Sequence, residues 1–323
     1  MLKAALGIDT SNYTTSAACL TGDGVSQNKR LLSVREGEAG LRQSDAVFQH
    51  VRQLPDVLSP FLHETSPYDA VGVSDRPRDA EGSYMPCFLA GVGTAQVVAQ
   101  ALGAPLYRFS HQAGHIAAAL YSTGRLELID RTFLAFHVSG GTTEAVLVAP
   151  GGGRIFTVSL AASSLDLKAG QAVDRCGLLL GLPFPCGPAL ERLAIQWEEP
   201  VRVRPVLRGA DCSLSGIENQ CRQLTEKGAP KELVARYCIE AVRAALDGMC
   251  AALLRQYGEL PILFAGGVSS NSILRSALST RYGALFAEPA YSADNAAGIA
   301  VLASVAAERG MHPCTESGER PMY

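Results

Sequence analysis

His111 and His115 stand four residues apart in a stretch of small and apolar residues that reads as a helix. At that spacing both imidazoles project from one helix face, the arrangement used to hold a metal ion. Six histidines in 323 residues would place about 0.1 such pairs by chance. Position 112 is Gln112 rather than glutamate, so the general base of an H-E-x-x-H zinc protease is missing. The pair needs a third ligand, and Asp294, just before a predicted helix start, can supply a carboxylate or serve as a helix cap. Two imidazoles and one carboxylate leave coordination positions open for substrate oxygens. The competing reading is a pair of helix-surface or hydrogen-bonded core histidines. His50, His63, His137 and His312 have no partner at this spacing and read as structural.

A second kind of chemistry is written in glycine and short hydroxyl residues. The turns Thr10–Thr14 and Ser139–Thr143 each join two apolar runs. Their N–H and hydroxyl groups suit phosphate oxygens, because small residues let a ligand approach the backbone. A tight hairpin explains each turn equally well when taken singly. Thr10 and Ser11 are the candidate nucleotide contacts in the first. Ala265-Gly266-Gly267-Val268-Ser269-Ser270-Asn271 follows a buried strand and opens a helix. Gly266 and Gly267 would let a base or ribose lie on the backbone there, with Asn271 as a hydrogen-bonding side chain. An ordinary strand-to-helix turn is the alternative.

These residues need strands and helices to position them. Leu2 to Asp9, Thr15 to Leu20 and Val25 to Val34 read as strands, as does Ala70 to Val73. Ser44 to Leu62 has helical spacing, with Pro55 and Pro60 predicting a kink or an early stop. The polar run from Ser74 to Ser83 reads as a loop and a candidate functional edge. Phe88 to Leu102 is helical, and Ser110 is placed to cap the helix carrying the histidines. Phe133 to Val138, the turn at 139–142 and Thr143 to Val148 form a second strand–turn–strand unit. Leu167 to Leu180, Leu233 to Leu254, Asn271 to Leu278 and Asn295 to Ala306 read as helices, and Leu260 to Phe264 as a strand. Thr14-Thr15-Ser16-Ala17 resembles Thr142-Thr143-Glu144-Ala145. Two hairpins of one design point to two related lobes, with chance similarity of two small-residue hairpins as the competing reading.

Hydrophobic residues make up 47% and charged residues 18% of the chain, which excludes a disordered protein. The formal net charge of −3 is no nucleic-acid footprint. An RNA substrate would need a local basic patch or a partner. Arg202-Val203-Arg204 with Arg208 is one such patch, or a plain solvated loop. Nine cysteines, none in C-x-x-C spacing, read as reduced and mostly buried, in keeping with a cytoplasmic protein. The N-terminus reads as a strand rather than a signal peptide, and no apolar run is long enough to span a membrane.

Taken together, these segments resemble the TsaD family, the tRNA threonylcarbamoyl-adenosine synthases. Gly7-Ile8-Asp9-Thr10-Ser11 is similar to the family's Gly-Ile-Glu-Thr-Ser opening, and His111-Gln112-Ala113-Gly114-His115 to its two-histidine motif. Val138-Ser139-Gly140-Gly141 matches its Val-Ser-Gly-Gly turn. Asp174, Leu179-Leu180-Gly181-Leu182 and Pro185-Cys186-Gly187-Pro188 resemble its ribose segment. Ser213-Leu214-Ser215-Gly216, Ala265 to Asn271 and Ala293-Asp294-Asn295 complete an ordered match over nearly the whole chain.

The resemblance implies an α/β, two-lobed fold of the actin-like and Hsp70-like (ASKHA) kind, with a mixed sheet and helices in each lobe and a ligand cleft between them. Residues 1–110 would form the N-terminal lobe, with the 294–310 helix packing back on it, and 111–293 the C-terminal lobe. His111, His115 and Asp294 would hold a divalent metal, iron or zinc. Ser139, Gly140 and Gly141 would line the phosphate side as the catalytic turn. Asp174 and Gly187 would hold the ribose of an adenine nucleotide, and Asn271 would help. The implied reaction moves a threonylcarbamoyl group from threonylcarbamoyl-AMP to the N6 amine of a tRNA adenosine beside the anticodon. A protein partner or a second copy is expected on the N-terminal lobe.

Some positions depart from the family pattern. Asn12-Tyr13-Thr14 replaces Cys-Asp-Glu, Thr142 a histidine, Asp166-Leu167 an Asp-Asp, Gly170-Gln171 a Gly-Glu and Glu218 a lysine. Arg76-Pro77-Arg78 with added residues stands where the family has Gly-Pro-Gly-Leu. This is the pattern of a divergent paralogue. It leaves open a nucleotide- and metal-binding scaffold or regulator, or a transferase of another carbamoyl-type group.

Overall fold

The computed structural model describes residues 2–11, 13–34, 40–62, 68–151, 154–292 and 296–313. It divides into two compact units. The first comprises 1–126, 151–157 and 293–323, and the second 127–150 and 158–292.

The first unit is built on a five-stranded sheet. Its strands are β1 (Ala5–Asp9), β2 (Thr14–Thr21), β3 (Gly24–Leu31), β4 (Ala70–Arg76) and β5 (Leu106–Ser110), in the order β3-β2-β1-β4-β5. β1 runs antiparallel to β2 and parallel to β4, so Asp9 pairs with Ser16 and Ile8 with Val73. β1 is buried throughout, which explains its nearly continuous apolar run. Leu6 and Ile8 face the helices α1 (Gln43–Leu62) and α2 (Phe88–Leu102), where they join Leu54, Val57 and Ala95 in one core.

Gly7 and Asp9 alternate to the other face. There lie α3 (His111–Ser122) and the helix Ala297–Glu308. A Cβ on Gly298 would fall 1.8 Å from the Gly114 carbonyl oxygen, and one on Gly7 would fall 2.5 Å from that of Ala296. These glycines let the backbones touch. Because of that packing, α3 belongs to the first unit, not to a second lobe beginning at residue 111.

The expected early stop in α1 does not occur. The helix continues through Pro55 and Pro60, because His50, Leu54, Val57, Leu58 and Phe61 keep one face buried on the sheet. Ser110 caps α3 as its position predicted, accepting the Ala113 N–H at 3.2 Å.

The second unit repeats the plan. Its strands are β6 (Phe133–Val138), β7 (Thr143–Pro150) and β8 (Phe156–Ser163), followed by helices α4 (Ala169–Leu179) and α5 (Gly187–Ile195). A two-stranded ribbon follows, β9 (Val206–Arg208) and β10 (Asp211–Ser213). Then come α6 (Gly216–Glu226), α7 (Lys231–Tyr257), β11 (Ile262–Ala265), α8 (Ser272–Tyr282), β12 (Leu285–Phe286) and α9 (Pro289–Ser292). Ala297–Glu308 is therefore α10.

The main sheet of this unit runs β12-β11-β6-β7-β8. β6 is antiparallel to β7 and parallel to β11, and β11 is parallel to β12. That is the strand order of the first unit, which accounts for the likeness of the two hairpins. Phe136, Phe264 and Phe286 stack across β6, β11 and β12 at centroid distances of 4.6 and 4.9 Å. They anchor a core that includes Ile239, Val242, Leu246 and Leu253 of α7. Among the described residues, no helix is long and apolar enough to cross a membrane.

Candidate functional site

The histidines of the first unit meet at their ring nitrogens. His111 Nε2 and His115 Nε2 lie 2.9 Å apart, with the rings edge to face and centroids separated by 4.3 Å. His111 Nδ1 lies 3.1 Å from Oδ2 of Asp9 at the end of β1. Asp9 is fully buried. It also accepts the Ser11 hydroxyl at 2.8 Å and the Ser74 hydroxyl of β4. An ionised carboxylate only accepts hydrogen bonds, so these contacts make His111 Nδ1 a donor. In the neutral ring, His111 Nε2 then bears a lone pair turned toward His115.

This donor set fits a cation. Two nitrogens at about 2.1 Å from one metal and at a right angle would stand about 3 Å apart. A carboxylate on the far nitrogen is the usual support of a metal-bound imidazole. Asp294, the proposed third ligand, lies outside the described residues.

Thr10 and Ser11 sit deep rather than open. The Thr10 hydroxyl donates to the Cys87 carbonyl at 3.0 Å and accepts the Gly91 N–H at 3.1 Å. Its hydrogen-bonding capacity ties β1 to the start of α2, while Ser11 is spent on Asp9. Asn12 lies outside the described residues.

In the second unit, the Ser139–Thr142 turn joins β6 to β7. Ser139 N–H donates to the Thr142 carbonyl at 2.7 Å, and Thr142 N–H donates to the Ser139 hydroxyl at 3.1 Å. Gly140 and Gly141 are exposed, with no atom near the place a Cβ would occupy. The start of α4 packs directly behind them. Gly170 N–H donates to the Ser139 carbonyl at 3.1 Å, and a Cβ on Gly170 would sit 2.6 Å from Gly140 Cα. Thr143 Oγ1 accepts the Ala169 N–H at 2.8 Å, fixing the same junction.

A cavity of about 360 Å³ opens beside this turn, lined by Gly140, Asp174, Gly187, Glu191, Gly267 and Asn271, among others. Its walls are mostly apolar, including Val173, Pro185 and Ile239, and its size suits a small organic ligand. Asp174 Oδ1 accepts the Cys186 N–H at 2.8 Å and so holds the Pro185–Gly187 loop in place. Gly266 adopts φ +100°, and a Cβ there would collide with the Val138 carbonyl oxygen at 2.4 Å. Only glycine lets β11 turn so close to β6. Asn271 caps α8, accepting the Ile273 and Leu274 N–H groups at 3.1 and 3.2 Å. Five predicted contacts, Gly140, Asp174, Gly187, Gly267 and Asn271, thus line one cavity. Ser139, Gly141 and Gly266 shape its surroundings.

Three residues carry more than sequence reasoning gave them. Asp9 buttresses His111, and its sign was only an acidic residue closing the first strand. Glu191 accepts both the N–H and the hydroxyl of Ser272, at 2.8 and 2.5 Å, at the cavity edge. Asp166 accepts the Leu167 and Leu214 N–H groups and the Ser215 hydroxyl at 2.6 to 2.7 Å. Desolvation opposes its charge, but those hydrogen bonds outweigh it and hold the Asp166 carboxyl below its ordinary range.

The sequence and fold can be placed among known proteins. The family model "TsaD: tRNA N6-adenosine threonylcarbamoyltransferase" matches residues 33–301. A protein of Thermus thermophilus with that transferase name is 33% identical over 318 residues, covering 95% of this chain and 94% of its own. Full-length HypF, solved in a phosphate- and nucleotide-bound form, superposes with a TM-score of 0.59 at 13% identity. The match takes in 95% of this chain but 56% of that longer one. Component A of (R)-2-hydroxyglutaryl-CoA dehydratase from Acidaminococcus fermentans gives 0.54 at 16% identity, covering 95% and 99%. The fold is of the actin-like and Hsp70-like kind, with one such sheet in each unit. The chain belongs to the TsaD family of transferases.

Proposed function

We propose that this protein transfers a threonylcarbamoyl group from threonylcarbamoyl-AMP to the N6 amine of a tRNA adenosine next to the anticodon. In this reading the amine nitrogen bonds to the carbamoyl carbon, the bond to the AMP phosphate oxygen breaks, and the amine proton is lost to solvent. The observation that carries it is the convergence of His111 and His115 on one point, supported from behind by Asp9, in a chain of this family.

His111 and His115 would hold a divalent cation, iron or zinc, with Asp294 as the third ligand. A bound cation would stabilise negative charge on acyl or phosphate oxygens. Asp9 fixes the ring and the tautomer of His111. The adenosine part of the donor would occupy the cavity of the second unit, with Asp174 and Gly187 at the ribose and Asn271 beside it. Ser139, Gly140 and Gly141 would bring backbone donors to the phosphate, where such donors act on developing charge at no cost in reorganisation. Thr10 and Ser11 would contribute indirectly, through the frame of Asp9 and α2.

Partners belong to this reading. Phe48 and Val51 on α1 and Leu89 and Val97 on α2 are large, apolar and exposed, which supports a protein partner or a second copy on the first unit. Arg202, Arg204 and Arg208 are exposed and basic, which supports contact with tRNA phosphates on a chain whose net charge is otherwise −3. A cytoplasmic location is part of the same proposal.

A second reading is a nucleotide- and metal-binding scaffold. It is favoured by Glu218, which stands where the family has lysine and is neutralised by Arg175 and Arg222 at 3.1 and 3.0 Å. The deciding experiment incubates the protein and its family partner proteins with tRNA and threonylcarbamoyl-AMP, then digests the tRNA and weighs its nucleosides by mass spectrometry. Threonylcarbamoyl-adenosine formed in proportion to enzyme supports the transferase. Binding of the adenylate with no modified nucleoside supports the scaffold.

A further inference from the structure

Behind the cap of α3, within the first unit, lies a separate cavity of about 180 Å³. Three guanidinium groups reach it: Arg76 from the end of β4, Arg108 from β5 and Arg154 from the segment before β8. Two are accounted for. Arg76 is held by Asp75 at 2.5 Å and by Asp79, and Arg154 lies 3.5 Å from Asp79. Asp79 is further committed to the Ser110 hydroxyl at 3.1 Å.

Arg108 is different. Its Nε is buried and has no hydrogen-bond partner. A buried guanidinium donor without an acceptor is costly, and such groups ordinarily mark a missing water, ion or ligand. Three arginines against the carboxylates of Asp75 and Asp79 leave one positive charge in excess. The rest of the wall has an apolar side, Phe109, Phe156 and Leu302, beside the polar Tyr107, Ser110 and His312.

We propose that this cavity binds a small organic carboxylate, with its head group on Arg108 and its hydrocarbon body against Phe109, Phe156 and Leu302. A planar carboxylate matches the two-pronged face of a guanidinium. A single excess charge suits a monoanion better than a phosphate dianion, and an apolar wall suits a ligand with a body. Arg154, the most exposed of the three, would close over the head group. This site stands apart from the transfer reaction, because it uses none of the residues assigned to it.

The test is calorimetric titration of the full chain with acetate, butyrate, benzoate and inorganic phosphate, at constant ionic strength set with chloride. Butyrate or benzoate is expected to bind saturably and more tightly than acetate, since each buried CH₂ adds to the driving force. Arg108→Gln should weaken that binding about tenfold or more, and Arg154→Gln a few-fold. Arg108→Gln removes a half-buried side chain whose Nε has no hydrogen-bond partner, so it should fold. Arg154→Gln, at an exposed position, gives an independent readout. Failure of any carboxylate to saturate would overturn the proposal. So would binding of phosphate alone, or unchanged affinity in both variants.

Discussion

His111 Nδ1 lies 3.1 Å from the buried carboxylate of Asp9, which the hydroxyls of Ser11 and Ser74 also engage. Three donors converge on one acidic group, and the imidazole is thereby held in one tautomer and one orientation. Asp9→Asn would present an amide N–H where only acceptors fit. The variant is expected to lose about 10- to 100-fold in affinity for a divalent cation, with the histidines themselves intact. Competition with a chromogenic chelator measures it. Unchanged affinity would show that Asp9 does not support His111.

Gly170 is the contact point between α4 and the glycine turn. Gly170→Ala would place a methyl group 2.6 Å from Gly140 Cα, so the turn or the helix must move. The expected cost is about 1–3 kcal/mol, read as a lower urea midpoint with an unchanged slope. Thermal stabilisation by AMP should fall in the same variant, because Gly140 and Gly170 both line the cavity.

The pH dependence of stability points to His50 on α1. The Thr15 hydroxyl gives its proton to Gln53 Oε1 at 2.7 Å, so it accepts from His50 Nδ1 at 2.8 Å. His50 Nε2 is then left buried as a bare lone pair without a partner. Burial lowers its pKa from 6.5 to about 4, against a smaller opposing pull from Asp9. Because the folded value is depressed, the unfolded chain takes up a proton that the folded chain refuses. Stability from this group is therefore full above pH 6.5 and lost as pH falls from there toward 4. Denaturant titrations across that window should show a stability loss approaching one proton's slope. His50→Gln should flatten it, and an equal slope in the variant would contradict the assignment.

Much of this was legible in the sequence because local rules and tertiary context agreed there. The strands around Asp9 and Val138 are buried on both sides and read as apolar runs. Ser110 is a good cap and caps. The His111–His115 spacing has one geometric meaning on a helix, and the structure gives it that meaning. Other features were hidden because they depend on residues far apart in the chain. The Gly114–Gly298 contact that ties α3 to the first unit joins positions with no local signal. Proline at 55 and 60 predicted a break by local rules, but the buried stripe of α1 overrode it. Thr10 and Ser11 looked like ligand-facing hydroxyls, and only the fold shows that Cys87, Gly91 and Asp9 use them. Arg108 sits in an ordinary strand pattern, and nothing in its neighbours predicts a buried donor without an acceptor.

The paired imidazoles are central as a cation seat, and equilibrium titration of the apo chain with Zn²⁺ or anaerobic Fe²⁺ tests them most directly. A cation should bind at the histidine pair, and His111→Ala and His115→Ala should each weaken that site by about 100-fold or more, with the far-ultraviolet circular dichroism unchanged. Cation binding of wild-type strength in either folded variant would contradict that role.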